Sequence, residues 1–212
     1  MDPQFWHQRW QDNEIGFHLE GANPLLIKYF GKLGLVPGDR VFLPLCGKTL
    51  DIVWLLDRGY VVAGAELSRK AVAALFEQLG MEPQVMQIGP VEQFRAPGID
   101  IFVGDIFDLT SALLRPVDAV YDRAALVALP ESMRRRYTEH LVSLTQAAPQ
   151  LLISYQYDRN RMAGPPFSVS RQEVRQHYEP YFQVDELEEV VVPGGLKGIT
   201  DATEGVWHLR NS

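Results

Sequence analysis

Cysteine is almost absent from this 212-residue chain, which has Cys46 alone. A single cysteine excludes an internal disulfide and any zinc site built on paired cysteines. Cys46 follows an apolar run, and this setting predicts a buried thiol. Long apolar runs are missing as well, because none approaches the roughly 20 residues that a membrane-spanning helix needs. The sequence therefore predicts no membrane partner.

Positive charge is scarce, since 27 acidic side chains outnumber 20 basic ones and leave a net charge of −7. A negative chain repels nucleic-acid phosphates and anionic lipids, so we expect no nucleic-acid partner. The consecutive Arg134, Arg135 and Arg136 are predicted to lie on the solvated face of a helix. Residues 1–20 show no basic start followed by an apolar stretch, which argues against a secretory signal. We expect a cytoplasmic protein and a monomer.

The strongest structural signals lie between residues 41 and 80. An apolar strand over 41–45 ends in a tight turn, and a helix follows with apolar side chains at three-to-four spacing. A second apolar strand covers 60–65, and Ser68 is the predicted N-cap of a helix that runs to Leu79. Two continuous apolar strands joined by a helix imply a parallel pair covered on both faces. This predicts an α/β protein with a doubly wound, mostly parallel sheet.

The same alternation continues through the rest of the chain, with helices predicted over 131–147 and 170–178. Further strands are predicted at 99–103, 117–122 and 151–155, with a weaker one at 91–97 and a terminal antiparallel hairpin of 182–192 and 204–209. We predict one domain spanning residues 1–212, since single sheets of this kind commonly reach that size. Within it, the aromatic-rich residues 1–34 are predicted to form an N-terminal helical cap over the active site, unless their rings only pack a helix onto the sheet edge, and residues 35–212 form the core.

Ligands of open parallel sheets bind at the carboxyl ends of the strands, where the strand order reverses. Gly47 follows the first strand, and a glycine lets the backbone approach a ligand closely. Glu66 ends the second strand about twenty residues later, the spacing at which an acid accepts hydrogen bonds from ribose hydroxyls. The alternatives are a plain turn glycine and a carboxylate that favours the start of the following helix.

The ends of the third and fourth strands also carry polar side chains. Asp105 suits the exocyclic amine of an adenine whose ring lies against Ile106, although a turn aspartate is the alternative. Asp122 and Arg123 place two opposite charges where the amino-acid end of an adenosyl cofactor would reach, unless they only pair with each other. Four strand ends on one rim indicate a nucleoside ligand, and an adenosyl group is the natural candidate.

Several motifs along nearly the whole chain resemble the thiopurine S-methyltransferase family, in a bacterial-type form. These motifs are Phe17-His18, Val41-Phe42-Leu43-Pro44-Leu45-Cys46-Gly47-Lys48 with Asp51 after it, Asp57-Arg58-Gly59, Gly104-Asp105-Ile106-Phe107-Asp108-Leu109, Asp122-Arg123-Ala124-Ala125-Leu126-Val127-Ala128 and Gly164-Pro165-Pro166-Phe167. The second and fifth are the most specific, because most methyltransferases have a Gly-x-Gly at the first site and no arginine like Arg123 after the fourth strand. The segment around Pro193, Gly194 and Gly195 departs from the family pattern.

This resemblance implies a class I, Rossmann-like fold with seven strands and a reversed terminal strand. It further implies S-adenosyl-L-methionine as cofactor, S-adenosyl-L-homocysteine as product and no metal. Together with Gly47, the implied cofactor residues are Trp10, Leu45, Glu66, Asp105, Ile106 and Arg123. Phe17 and His18 match positions near the acceptor, although a packed aromatic and a capping histidine are equally open. The implied acceptor is a small aromatic or heterocyclic thiol, or a selenium or tellurium compound.

Arg123 is the candidate catalytic residue, because its guanidinium would favour an anionic acceptor. No Ser/His/Asp or Cys/His set is visible, and an acidic aromatic thiol needs no strong base. The sequence is also compatible in part with four other functions. A nicotinamide oxidoreductase is disfavoured because the three-glycine fingerprint is missing, and a metal-dependent O-methyltransferase because the strand-end acids form no cluster with a histidine. Another small-molecule O- or N-methyltransferase and a non-catalytic adenosyl-binding module remain as alternatives.

Overall fold

One twisted sheet runs through the protein, and the computed structural model describes residues 3–12, 14 and 19–211 of the chain. Within that part the sheet has nine strands, in the order β3-β4-β5-β2-β1-β6-β7-β9-β8. The strands are β1 Arg40–Leu43, β2 Val61–Glu66, β3 Gln84–Ile88, β4 Val91–Ala96, β5 Ile99–Val103, β6 Ala119–Arg123, β7 Gln150–Gln156, β8 Gln183–Val191 and β9 Thr203–Arg210.

The five central strands β5, β2, β1, β6 and β7 are parallel. From β1 the chain builds outward through β2 and β5, then returns to place β6 on the other side of β1. The strand order therefore reverses at the β1/β6 boundary, which confirms the predicted doubly wound sheet. The predicted reversed strand is also confirmed, because β9 pairs antiparallel with β7 from Gln150↔Leu209 to Gln156↔Thr203.

The predicted number of seven strands is wrong. Strands β3 and β4 form an antiparallel hairpin that adds to the edge of β5. The weak strand predicted at 91–97 is real, but its partner Gln84–Ile88 was not foreseen. Four of the five residues of β3 are exposed, including Val85 and Met86. A strand that buries neither face has no alternating pattern for sequence reasoning to detect.

Helices cover both faces of the sheet, as the prediction required. They are α1 Pro3–Gln11, α2 Pro24–Tyr29, α3 Asp51–Leu56, α4 Arg69–Leu79, α5 Ser111–Leu114, α6 Glu131–Thr145 and α7 Arg171–Tyr178. Residues of α2, α3 and α4 share one hydrophobic core, and residues of α5, α6 and α7 share the other. Ser68 is the N-cap of α4, as predicted, and accepts from Ala71 N. None of the described helices combines the length and the apolar character that crossing a bilayer requires.

The prediction that all three consecutive arginines are solvated is wrong for one of them. Arg135 and Arg136 are exposed, but Arg134 is 1% exposed. Its Nε donates to Oε1 of Glu173 on α7 at 2.5 Å, and its Nη1 donates to the carbonyl of Leu129 at 2.9 Å. Side chains on a helix rotate by about 100° per residue, so position 134 faces α7 while positions 135 and 136 face solvent. The three residues therefore cannot share one face.

Candidate functional site

A cavity of about 330 Å³ opens at the carboxyl ends of β1, β2, β5 and β6, beside the point where the strand order reverses. We call it the strand-end cavity. All seven residues predicted to bind a cofactor line it: Trp10, Leu45, Gly47, Glu66, Asp105, Ile106 and Arg123. The two predicted acceptor residues, Phe17 and His18, lie outside the residues that the structure describes. The fold thus brings together every described residue of the predicted set.

The loop after β1 forms the first wall of the cavity. Leu45 and Gly47 have φ values of 46° and 55°, so the chain turns through two left-handed residues within three positions. Glycine adopts this conformation without the steric cost that a Cβ brings. Cys46 between them is 7% exposed, which confirms the predicted buried thiol. Its backbone N–H donates to the carbonyl of Ala65 at 3.0 Å, which holds the loop against β2.

Glu66 links the loop after β1 to the start of α4 at the strand-end cavity. Its Oε2 accepts from Gly47 N at 2.8 Å, and its Oε1 accepts from Ser68 N at 2.8 Å. The residue is 6% exposed, and this burial raises the pKa of Glu66, while the two backbone N–H groups act in the opposite direction. The Leu67 N–H also acts on this carboxylate, but an ionised carboxylate has about four acceptor positions, so acceptor capacity remains for a ligand.

The third wall is the segment after β5. Asp105 is exposed, and its Oδ1 accepts from Phe107 N at 3.0 Å, so it also has the turn role that sequence reasoning left open. Ile106 is 5% exposed and packs in the core. Its carbonyl lies 2.8 Å from Nε2 of His140, whose ring meets Phe107 edge to face with centroids 5.5 Å apart. Helix α6 therefore holds this wall from behind.

Asp122 and Arg123 lie on opposite faces of β6 and do not pair with each other. Asp122 is 0% exposed, accepts from Leu126 N at 3.1 Å and accepts from the Tyr137 hydroxyl at 2.7 Å. Arg123 lines the cavity, and its Nε is buried without a hydrogen-bond partner. Buried donors are normally satisfied, so an unpartnered one at a cavity wall indicates a place for a ligand atom.

Sequence reasoning missed several cavity residues. Asp51 and Tyr121 lie on the floor, where Asp51 accepts from the Tyr121 hydroxyl at 3.2 Å and from Asn23 N at 2.6 Å. Tyr155 on β7 and Lys197 in the β8–β9 connection line the opposite side. No motif marks Tyr155 and Lys197, because they come from distant parts of the chain that meet only in the folded protein. Further lining residues are Trp6, Arg9, Lys48, Pro165 and Pro166.

Across residues 3–12, 14 and 19–211, no group of three or more His, Cys, Asp or Glu side chains is arranged to hold a metal ion.

The sequence matches a known family over its full length. Residues 1–212 match the family model of thiopurine S-methyltransferase. The chain is 56% identical over 213 residues to the thiopurine S-methyltransferase of Xanthobacter autotrophicus, with 100% of each protein covered. It is 50% identical to that of Acinetobacter baylyi, with 99% of this chain and 98% of the relative covered. The resemblance drawn from the motifs is confirmed.

Solved structures of methyltransferases share the fold. The 1,6-didemethyltoxoflavin-N1-methyltransferase of Burkholderia thailandensis, solved with 1,6-didemethyltoxoflavin and S-adenosylhomocysteine, aligns with a TM-score of 0.69 at 14% identity. That alignment covers 99% of this chain and 87% of the other. A SAM-dependent methyltransferase of Anabaena variabilis aligns with a TM-score of 0.68 at 14% identity, covering 98% and 95%. Likeness at this identity shows the fold alone, and it confirms the predicted class I fold.

Proposed function

Because the chain belongs to the thiopurine S-methyltransferase family, we propose that it transfers the methyl group of S-adenosylmethionine to the sulfur of small aromatic or heterocyclic thiols such as thiopurines. Family and fold make it a SAM-dependent methyltransferase. The finer assignment of acceptor and residues is our proposal. The observation that carries it is the unpartnered, buried Nε of Arg123 in a cavity lined by all seven predicted cofactor residues.

The side chains around the strand-end cavity fit S-adenosylmethionine, which supplies a methyl group on a positively charged sulfur. Glu66 has acceptor positions free for ribose hydroxyls, and buried acceptors of this kind bind hydroxyl groups well. Asp105 uses one oxygen as a turn acceptor and has a second for an adenine amine. Ile106 offers an apolar surface, and Leu45, Gly47 and Trp10 complete this end.

Arg123 is proposed to act on the acceptor. An arginine is always charged, so its guanidinium stabilises a thiolate or the water beside it. Methyl transfer needs the acceptor sulfur in line with the methyl group, and most of the protein's contribution is positioning and exclusion of water. An acidic aromatic thiol ionises near neutral pH, so Arg123 needs only to favour the anion. Soft selenium and tellurium acceptors follow the same displacement chemistry.

Residues 1–34 are proposed to cap the site, with 35–212 as the Rossmann-like core. Helix α1 supports this, since Trp6 and Trp10 line the strand-end cavity. Phe17 and His18 are proposed to contact the acceptor by family resemblance.

The test begins with calorimetric titration of the protein with S-adenosylmethionine and, separately, with NADH. A methyl-transfer assay on an aromatic thiol follows, with thioether formation as the readout. We expect S-adenosylmethionine binding and thioether formation. Binding of NADH alone, or of neither compound, would contradict the proposal.

The variant Arg123→Ala then tests the residue assignment. We expect it to slow turnover by roughly 100-fold, the range seen when one electrostatic contact to a developing charge is lost, while the affinity for S-adenosylmethionine changes less. Arg135→Ala is the matched control, because Arg135 is an exposed arginine on α6. Equal losses of turnover and cofactor affinity in Arg123→Ala would point to a structural arginine instead.

A further inference from the structure

Three neighbouring strands place ionisable side chains in a row beside the strand-end cavity. Arg123 of β6 is opposite Ile153 of β7, and Tyr155, two residues further along β7, is opposite Glu204 of β9. Side chains two residues apart on a strand share a face. Directly paired residues of antiparallel strands have Cβ atoms about 5 Å apart. Arg123, Tyr155 and Glu204 therefore share one face at the same end of the sheet.

The members of this row differ in their access to the cavity. Arg123 and Tyr155 line it, whereas Glu204 does not line it and is only 8% exposed. Tyr155 is the direct cross-strand partner of Glu204, and the Glu204 carboxylate raises the pKa of Tyr155 while the Arg123 guanidinium lowers it. The charge of Glu204 also acts on Tyr121, two residues before Arg123, and the charge of Arg123 acts on Glu204. Tyr155 is thus placed to connect a buried carboxylate with the cavity.

The pKa shifts of Tyr155 and Glu204 favour proton transfer from the cavity toward Glu204. Burial raises the pKa of Tyr155 to about 12, with Glu204 adding to the rise and Arg123 opposing it. Burial also raises the pKa of Glu204, while Tyr155 and Arg123 act against that rise. A tyrosine of this kind stays protonated and passes protons on, and a carboxylate with raised pKa accepts them more readily than an exposed one.

From this arrangement we propose that Glu204 accepts the proton of the acceptor thiol through the hydroxyl of Tyr155. The inference rests on the proposed function and extends it to a class of acceptor, namely thiols too weakly acidic to ionise on their own. Arg123 alone serves acceptors that are already anionic. Glu204 makes the protein competent for the others.

The step balances as a two-proton relay. The thiol S–H bond breaks as its proton bonds to the Tyr155 oxygen, and the proton of the Tyr155 hydroxyl passes to the Glu204 carboxylate. The result is a thiolate beside Arg123 and a neutral Glu204. The thiolate sulfur then forms a bond to the methyl carbon, whose bond to the sulfonium breaks with its electron pair remaining on the departing sulfur. Glu204 finally releases its proton to water.

The test is a comparison of arylthiols and alkylthiols of graded acidity at one pH. The acidic probe is 4-nitrothiophenol, the intermediate probe is 4-methoxythiophenol, and the weakly acidic probe is benzyl mercaptan. The variants are Glu204→Gln and Tyr155→Phe, with Glu189→Gln as control, because Glu189 is an exposed glutamate of the neighbouring strand β8. Calorimetry with S-adenosylmethionine and thermal melting report folding and cofactor affinity for each variant.

We expect kcat/KM of Glu204→Gln and Tyr155→Phe to fall about 100-fold for benzyl mercaptan, a typical contribution of acid–base catalysis, and to change little for 4-nitrothiophenol. Equal losses along the series would show that Glu204 only orients Arg123, and undiminished rates would remove it from the reaction. Both results overturn the inference while leaving methylation by the unaltered protein intact. Failure of the unaltered protein on 4-nitrothiophenol would instead refute the proposed function, and the inference with it.

Discussion

The backbone N–H of Gly47 donates to Oε2 of Glu66 over 2.8 Å, so the last residue of β2 holds the loop that follows β1. The second oxygen of the same carboxylate holds Ser68 at the start of α4. Two neighbouring strand ends and one helix start are thereby fixed by a single buried side chain. The positions of Gly47 and Glu66 in the rim depend on each other.

Glu66→Gln is expected to weaken S-adenosylmethionine binding by roughly 10- to 100-fold, because hydrogen bonds to a charged acceptor contribute about 1.5–3 kcal/mol. The amide also turns one acceptor into a donor, which opposes either Gly47 N or Ser68 N. Calorimetric titration measures the change. Glu77→Gln, at an exposed glutamate of α4, is the control. An unaltered affinity in Glu66→Gln would exclude it from the cofactor site.

His140→Ala should raise the dissociation constant for S-adenosylmethionine about fivefold, the effect of losing one hydrogen bond of about 1 kcal/mol. His140 does not line the cavity, but it holds the carbonyl of Ile106 at 2.8 Å and packs on Phe107. Titration calorimetry compares it with Glu139→Ala, an exposed neighbour on α6. If both variants bind the cofactor alike, the wall after β5 does not need support from α6.

The buried Asp122 should make stability depend on pH. Burial raises its pKa from 3.8 to about 6, against the hydrogen bonds from Tyr137 and Leu126. The folded protein therefore holds this proton more tightly than the unfolded chain, and the resulting stabilisation is complete below pH 3.8 and lost as pH rises through about 6. Relative to Asp122→Asn, the free energy of unfolding of the unaltered protein should fall by up to about 3 kcal/mol as pH rises through that range.

Urea denaturation of the unaltered protein and Asp122→Asn at a series of pH values measures this difference. Asp57→Asn, at an exposed aspartate, should follow the unaltered protein. Curves for Asp122→Asn that run parallel to those of the unaltered protein would show that Asp122 titrates normally.

Arg134→Ala should destabilise the fold by about 3 kcal/mol, the low end for breaking a buried ion pair, because the Glu173 carboxylate loses Arg134 but keeps Arg159 and His177 as partners. Replacing both residues, as Arg134→Met with Glu173→Leu, should recover much of the loss. Arg135→Ala is the matched control, since its side chain is 82% exposed and exposed pairs contribute under about 1 kcal/mol. Urea denaturation gives the unfolding midpoints of Arg134→Ala, the double variant and Arg135→Ala for comparison. Similar midpoints for Arg134→Ala and Arg135→Ala would mean that the buried pair adds no stability.

The central strands and the residues of the strand-end cavity that follow them could be predicted from the sequence, whereas the edges of the sheet could not. Strands such as 60–65 are buried on both faces and read as continuous apolar runs. Strand β3 is exposed, so Val85 and Met86 formed no pattern, and the residue patterns indicated eight of the nine strands, whereas the family resemblance implied seven. The prediction for residues 134–136 was wrong at Arg134 for a related reason, because composition alone does not show which face of a helix is buried.

By itself, the sequence determined the doubly wound sheet and the strand-end set Gly47, Glu66, Asp105 and Arg123. Consecutive parallel strands finish at one edge, so residues that end them meet whatever the distances between them along the chain. Tertiary structure alone decided that Tyr155 is opposite Glu204, because the register of β7 and β9 depends on packing between segments almost fifty residues apart. The local sequence pattern carries no information about this pairing of Tyr155 with Glu204, on which the proposed proton path depends.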